Sequence, residues 1–243
     1  MNKILQPDKG FIRKLLITLL MLSQATLLAQ NSQILPFHEA KQRADAGDAF
    51  AQAVVATHYA LGWNVEKNPE LAVRYASASA EARHPLGYFR LGSLLRIGEG
   101  VPKNNEAGLK YQAAAFNELS RLKDPYSITA VGIMIFQGTV VAQKWTLQDR
   151  YLEAARLYKT AADMGYAPAQ FNYSMCNEMG HGIPKDAAVS LQYLQLSAQA
   201  GYPLAVRHVT ELAQAAQNAN GLDRITGKSS EGDEWAYEFL GRV

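Results

Sequence analysis

Cysteine is almost absent from this 243-residue chain, which carries only Cys176. An exported chain of this kind has no intramolecular disulfide framework, so its stability must come from packing. Cys176 lies among apolar residues and reads as a buried, inert thiol. Excess charge of one sign is also missing, with 24 Lys+Arg against 22 Asp+Glu. No basic patch or run is available to attract a phosphate backbone, which argues against a nucleic-acid partner.

Catalytic and metal-binding patterns are equally scarce. The five histidines, His38, His58, His84, His181 and His208, show neither the i, i+4 pairing nor the carboxylate grouping of a zinc site. Gly227-Lys228-Ser229-Ser230 resembles the end of a phosphate-binding loop. The leading glycine would fall at Leu222, however, while Gly221 misses by one and no strand precedes it. Glu39, Glu178 and Glu211 belong to separate units and cannot be paired as acid and base from sequence. The expectation is no catalytic residue, no metal and no cofactor.

What is present begins with residues 1–29. Lys9, Arg13 and Lys14 precede the apolar run Leu15–Leu22, followed by polar and small residues. This is the layout of a signal peptide, with cleavage expected after Ala29. An apolar run of this length is too short to cross a bilayer, which takes about 20 residues, so no stable span is expected after cleavage. An uncleaved anchor is the alternative, because no charge occurs from Leu15 to Phe37. Cleavage would leave 20 basic against 21 acidic residues, a formal charge of −1. The chain would then be periplasmic or secreted.

The remainder repeats. Glycine turns stand at Gly62-Trp63-Asn64-Val65, Gly98-Glu99-Gly100-Val101, Gly138-Thr139-Val140-Val141 and Gly180-His181-Gly182-Ile183. Recurring start positions at 47, 83, 119, 165 and 201 set a period of 36, 36, 46 and 36 residues. A period of this size signals a solenoid of stacked supersecondary units. Small residues recur at Ala51, Gly87, Ala169 and Ala205, and again at Ala56, Gly92, Ser174 and Thr210. Large ones recur at Val55, Leu91, Tyr173 and Val209. In the third unit a four-residue shift restores the register as Ser127, Val131, Gly132 and Ile135. These spacings lie on one helical face, where small side chains admit a neighbouring helix. A glycine ends the first helix, and Asn68, Asn104 and Asp186 cap the second.

Two stretches, "RLGSLLRIGEGVPKNNEAGLKYQAAA" from Arg90 and "AADMGYAPAQFNYSMCNEMGHGIPKDAAVSLQYLQLSAQAGYPLA" from Ala161, carry a resemblance to the Sel-1-like repeat family of the tetratricopeptide-like superfamily. It covers roughly residues 37–217, although Arg83 and Leu119 replace the start glycine. The resemblance implies an all-α, right-handed superhelix of about four helix-turn-helix repeats with half-repeat caps. The expected boundaries are a capping helix at 30–46 and repeats at 47–82, 83–118, 119–164 (with an insertion) and 165–200. A capping half-repeat at 201–217 follows, then a flexible linker and short amphipathic helix at 218–243. In the insertion, from Val140 to Arg150, Lys144 and Trp145 are expected on an extended turn, with Trp145 either open to a partner or folded back.

The resemblance further implies a non-enzymatic scaffold that binds a protein or peptide along its concave face. Transferred by slot, that face comprises Phe89, Ser93 and Arg96; Tyr126, Ile133 and Phe136; Phe171, Met175 and Glu178; and Arg207 and Glu211. Packing between adjacent units is the competing role for the three phenylalanines. A cell-wall-active or penicillin-binding enzyme on the same repeats is the alternative function. The cysteine-rich subgroup linked to penicillin binding has paired cysteines that this chain lacks. No feature sets an oligomeric state.

Overall fold

The structure is a computed structural model describing residues 34–140 and 144–217, the last three for their backbone alone. The expected signal peptide, linker and C-terminal amphipathic helix lie outside the described residues. Ten helices and no strand occur among the described residues: α1 (Phe37–Asp45), α2 (Ala49–Leu61), α3 (Pro69–Glu81), α4 (Pro85–Ile97), α5 (Asn105–Leu119), α6 (Pro125–Gln137), α7 (Leu147–Asp163), α8 (Ala167–Met179), α9 (Ala187–Gln199) and α10 (Pro203–Gln217). None is long and apolar enough to cross a membrane.

Each helix pair, α2/α3, α4/α5, α6/α7 and α8/α9, packs tightly as a hairpin, and each second helix also contacts the next first helix. The first helices α2, α4, α6 and α8 touch one another in turn and form the inner layer. Small residues make the hairpins close. A Cβ added to Gly92 in α4 would stand 2.7 Å from the Gly108 carbonyl oxygen in α5. The reverse addition at Gly108 would meet Gly92 at 2.5 Å, so neither position has room for a side chain.

Helix ends follow local chemistry. The side chains of Asn68, Asn104 and Asp186 accept hydrogen bonds from Leu71, Ala107 and Val189 N–H groups, as expected of N-caps. Thr146 and Asp149 add a reciprocal capping box at α7. Gly62, Gly98, Gly138 and Gly180 close the first helices in the left-handed region.

The recurring start position has a definite role. Gly47, Arg83, Gly165 and Gly201 all adopt positive φ just after a second helix. The residue after each donates its N–H to a carbonyl five residues back: Asp48 to Arg43, His84 to Ser79, Tyr166 to Ala161 and Tyr202 to Ser197. This is the Schellman termination, in which a left-handed residue ends the helix.

Unit three departs from the expected layout. Leu119, expected to open it, is the fully buried last residue of α5, and α6 begins only at Pro125. Helix lengthening accounts for much of the extra chain. The second helices α5 and α7 have 15 and 17 residues, against 13 in α3 and α9. Arg150 already belongs to α7, so the long turn ends earlier than expected, at the Thr146 cap. Lys144 and Trp145 are both exposed, Trp145 at 39%.

Candidate functional site

The inner layer is where the concave-face positions fall, and most are not open to solvent. Phe89, Ser93, Tyr126, Ile133, Phe136, Phe171 and Met175 are all buried. Rather than lining an exposed concave face they fill the space between units, which for the three phenylalanines is the competing role. Phe136 stacks on Tyr151 with centroids 4.7 Å apart and contacts His181 of the fourth turn at 5.5 Å. Phe171 packs against Tyr202 at 5.6 Å. Arg96 and Glu178 are half-buried, while Arg207 and Glu211 are exposed.

The interior closes because the two ends of the array meet. Trp63, in the first turn, is 4% exposed and donates its indole N–H to the Ala200 carbonyl oxygen at 3.1 Å. Its ring lies 6.2 Å from Tyr166 and edge-on to Tyr202 at 5.7 Å. Tyr166 packs on Tyr126 at 4.6 Å, and Tyr126 meets Phe50 at 5.3 Å. The Tyr126 hydroxyl accepts the Leu35 N–H at 2.7 Å, tying the segment before α1 to α6.

Local sequence explains this aromatic plug. Asp48, His84 and Asp124 cap α2, α4 and α6 through their side chains. The equivalent residue before α8 is Tyr166, which makes no side-chain cap, and before α10 stands Tyr202. Losing a cap costs about 1 kcal/mol, whereas burying a large aromatic contributes more than that. Tyrosine at this slot therefore exchanges a helix cap for contact across the superhelix. Sequence reasoning missed Trp63, Tyr166 and Tyr202. The available signal was the pair Gly165-Tyr166 and Gly201-Tyr202, aromatic where other units carry Asp or His.

Polar groups collect at two places on the inner layer. Arg96 Nη1 donates to Gln137 Oε1 at 2.6 Å and to Gln112 Oε1 at 3.2 Å, and Nε reaches Asn105 at 3.3 Å. Gln112 continues the chain by donating to Ser93 Oγ at 3.1 Å. Further along, His208 Nε2 lies 2.9 Å from Glu178, with its Nδ1 3.9 Å from Glu211, and Arg207 lies 3.8 Å from Glu211. Among the described residues no group of three His, Cys, Asp or Glu is arranged to hold a metal.

Repeated helix hairpins of this register match the Sel1 repeat model over residues 49–84, 85–115, 125–166 and 167–202. The chain belongs to the Sel1 repeat family. Members of this family are generally non-enzymatic helical repeat scaffolds, typically for protein interaction. An uncharacterized protein of Neisseria meningitidis serogroup B is 29% identical over 167 residues, 60% of this chain and 36% of its own length. This Sel1 repeat chain thus spans about a third of that relative. Solved structures with a similar fold include a Sel1 repeat protein of Oxalobacter formigenes, at TM-score 0.45 and 22% identity, covering 85% of this chain and 76% of that one. Another is c5321, described as a protective antigen of uropathogenic Escherichia coli, at TM-score 0.40 and 20% identity, covering 76% and 37%.

Proposed function

We propose that this Sel1 repeat protein is a non-enzymatic scaffold, exported by residues 1–29, that holds a protein or peptide partner on its inner helix layer. The contact would centre on Arg96, Glu178, Arg207 and Glu211. One observation carries this reading: of the eleven candidate positions, only these four reach solvent, and all four are charged. A partner meeting these two cations and two anions is selected by charge complementarity. Such binding weakens as salt rises, since exposed charges are screened beyond about 8 Å at physiological ionic strength. The envelope location rests on the signal-peptide layout alone.

The test is crosslinked capture from envelope extracts by the chain lacking residues 1–29, followed by mass spectrometry. Arg207→Glu combined with Glu211→Lys reverses two exposed charges whose mutual ion pair is worth little, so the melting temperature should fall by only a few degrees. Loss of the captured partner supports the assignment, and unchanged capture overturns it. Hydrolysis of nitrocefin or peptidoglycan by the purified chain would overturn the non-enzymatic part.

A further inference from the structure

Arg90 of α4 occupies the slot held by Val54 in α2 and Ala130 in α6, and like them it is buried, at 7% exposure. No ion pair found among the described residues involves it. The groups acting directly on it are neutral, while Asp124 acts on Tyr166. The guanidinium carbon lies 5.0 Å from the Phe89 ring centroid, and the Tyr166 and Tyr202 phenols are its electrostatic partners. His58, which also feels Arg90, is pushed down to about 4 by burial and stays neutral at pH 7. The Tyr166 hydroxyl lies close to the guanidinium, yet its buried Oη completes no hydrogen bond of normal geometry.

A largely buried guanidinium with no carboxylate beside it is unfavourable, and arginine cannot relieve this by losing its proton. No described residue supplies the counter-charge, which leaves the guanidinium open to an external anion. We propose that Arg90, with Tyr166 and Tyr202, forms a binding site for a monovalent carboxylate inside the superhelix. The forked N–H groups of a guanidinium match the two oxygens of a carboxylate, and the Tyr166 O–H supplies a further donor. One negative charge balances one arginine. A phosphate dianion would leave uncompensated charge among aromatic rings, which disfavours it. This site is independent of the charged positions Arg207 and Glu211.

The experiment compares melting temperatures in sodium acetate and sodium chloride at pH 7 and equal ionic strength. Acetate at 100 mM should raise the wild-type value by about 2–4 °C. Arg90→Met, which keeps the volume and removes the charge, should abolish that difference, and Arg90→Lys should reduce it. Arg90→Gln serves the same purpose if the methionine variant fails to fold. A wild-type difference near zero, or one shared by the uncharged variant as a general salt effect, overturns the proposal. N-acetylalanine and N-acetylalaninamide separate the sources. Tighter binding of the acid than of acetate points to a peptide C-terminus, and equal binding points to a free small carboxylate.

Discussion

The indole nitrogen of Trp63 and the carbonyl oxygen of Ala200 stand 137 residues apart in sequence and 3.1 Å apart in space. A repeat array in which units touch only their neighbours unfolds piecemeal, as a sum of local stabilities. Here the first turn is fastened to the return between α9 and α10, so the ends of the array are coupled. The aromatic plug of Trp63, Tyr166, Tyr202 and Tyr126 performs that coupling.

Removing the fastener should therefore affect cooperativity as well as stability. Trp63→Ala should cost about 3–5 kcal/mol and broaden or split the calorimetric transition. Trp63→Phe keeps an aromatic ring but loses the N–H donor, and the missing hydrogen bond should cost about 1 kcal/mol. A Trp63→Ala variant with one sharp, barely shifted transition would show that the units do not depend on end closure.

Acidification supplies a second test. His58 stacks on Trp63 at 4.4 Å, and its Nδ1 lies 2.6 Å from the Trp63 carbonyl oxygen. Burial pushes it down from 6.5 to about 4. The unfolded chain thus binds a proton between pH 6.5 and 4 that the folded chain refuses, so stability falls as pH drops through that window. The full effect is on the order of 3 kcal/mol. Half-buried His84 shifts in the same direction. Denaturant titrations from pH 7 to 4 should show the decline, and His58→Gln should flatten most of it.

Arg83 offers a stabilising substitution. It is exposed and holds φ +60°, at the Schellman position occupied elsewhere by Gly47, Gly165 and Gly201. The left-handed conformation costs a non-glycine residue about 1–2 kcal/mol, partly offset by the greater freedom of glycine when unfolded. Arg83→Gly should gain about 0.5–1 kcal/mol in urea unfolding, and a loss would mean that the arginine side chain contributes contacts outweighing the strain.

Cys176 should resist thiol chemistry. It is 1% exposed, and burial pushes its thiol up to about 12. Ellman's reagent at pH 8 should leave the folded chain unlabelled and react stoichiometrically in guanidinium chloride. Rapid native labelling would place the thiol at an opening that its packing does not show.

The periodic glycines, the caps at Asn68, Asn104 and Asp186, and the small faces at Gly87 and Gly92 were legible because they act within one turn or between neighbouring helices. Short-range geometry of this kind is written in residue spacing, and it determined an all-α array of Sel1 hairpins. Spacing could not reveal whether Phe89, Tyr126 and Phe171 face solvent or neighbours, because that depends on how far the stack curves. Curvature sums small rotations over every unit, and only the folded chain brought Trp63 to Ala200 and the tyrosines to Arg90. The tertiary structure thereby packed most of the expected binding face into the interior and left Arg96, Glu178, Arg207 and Glu211 as its solvent-reaching positions.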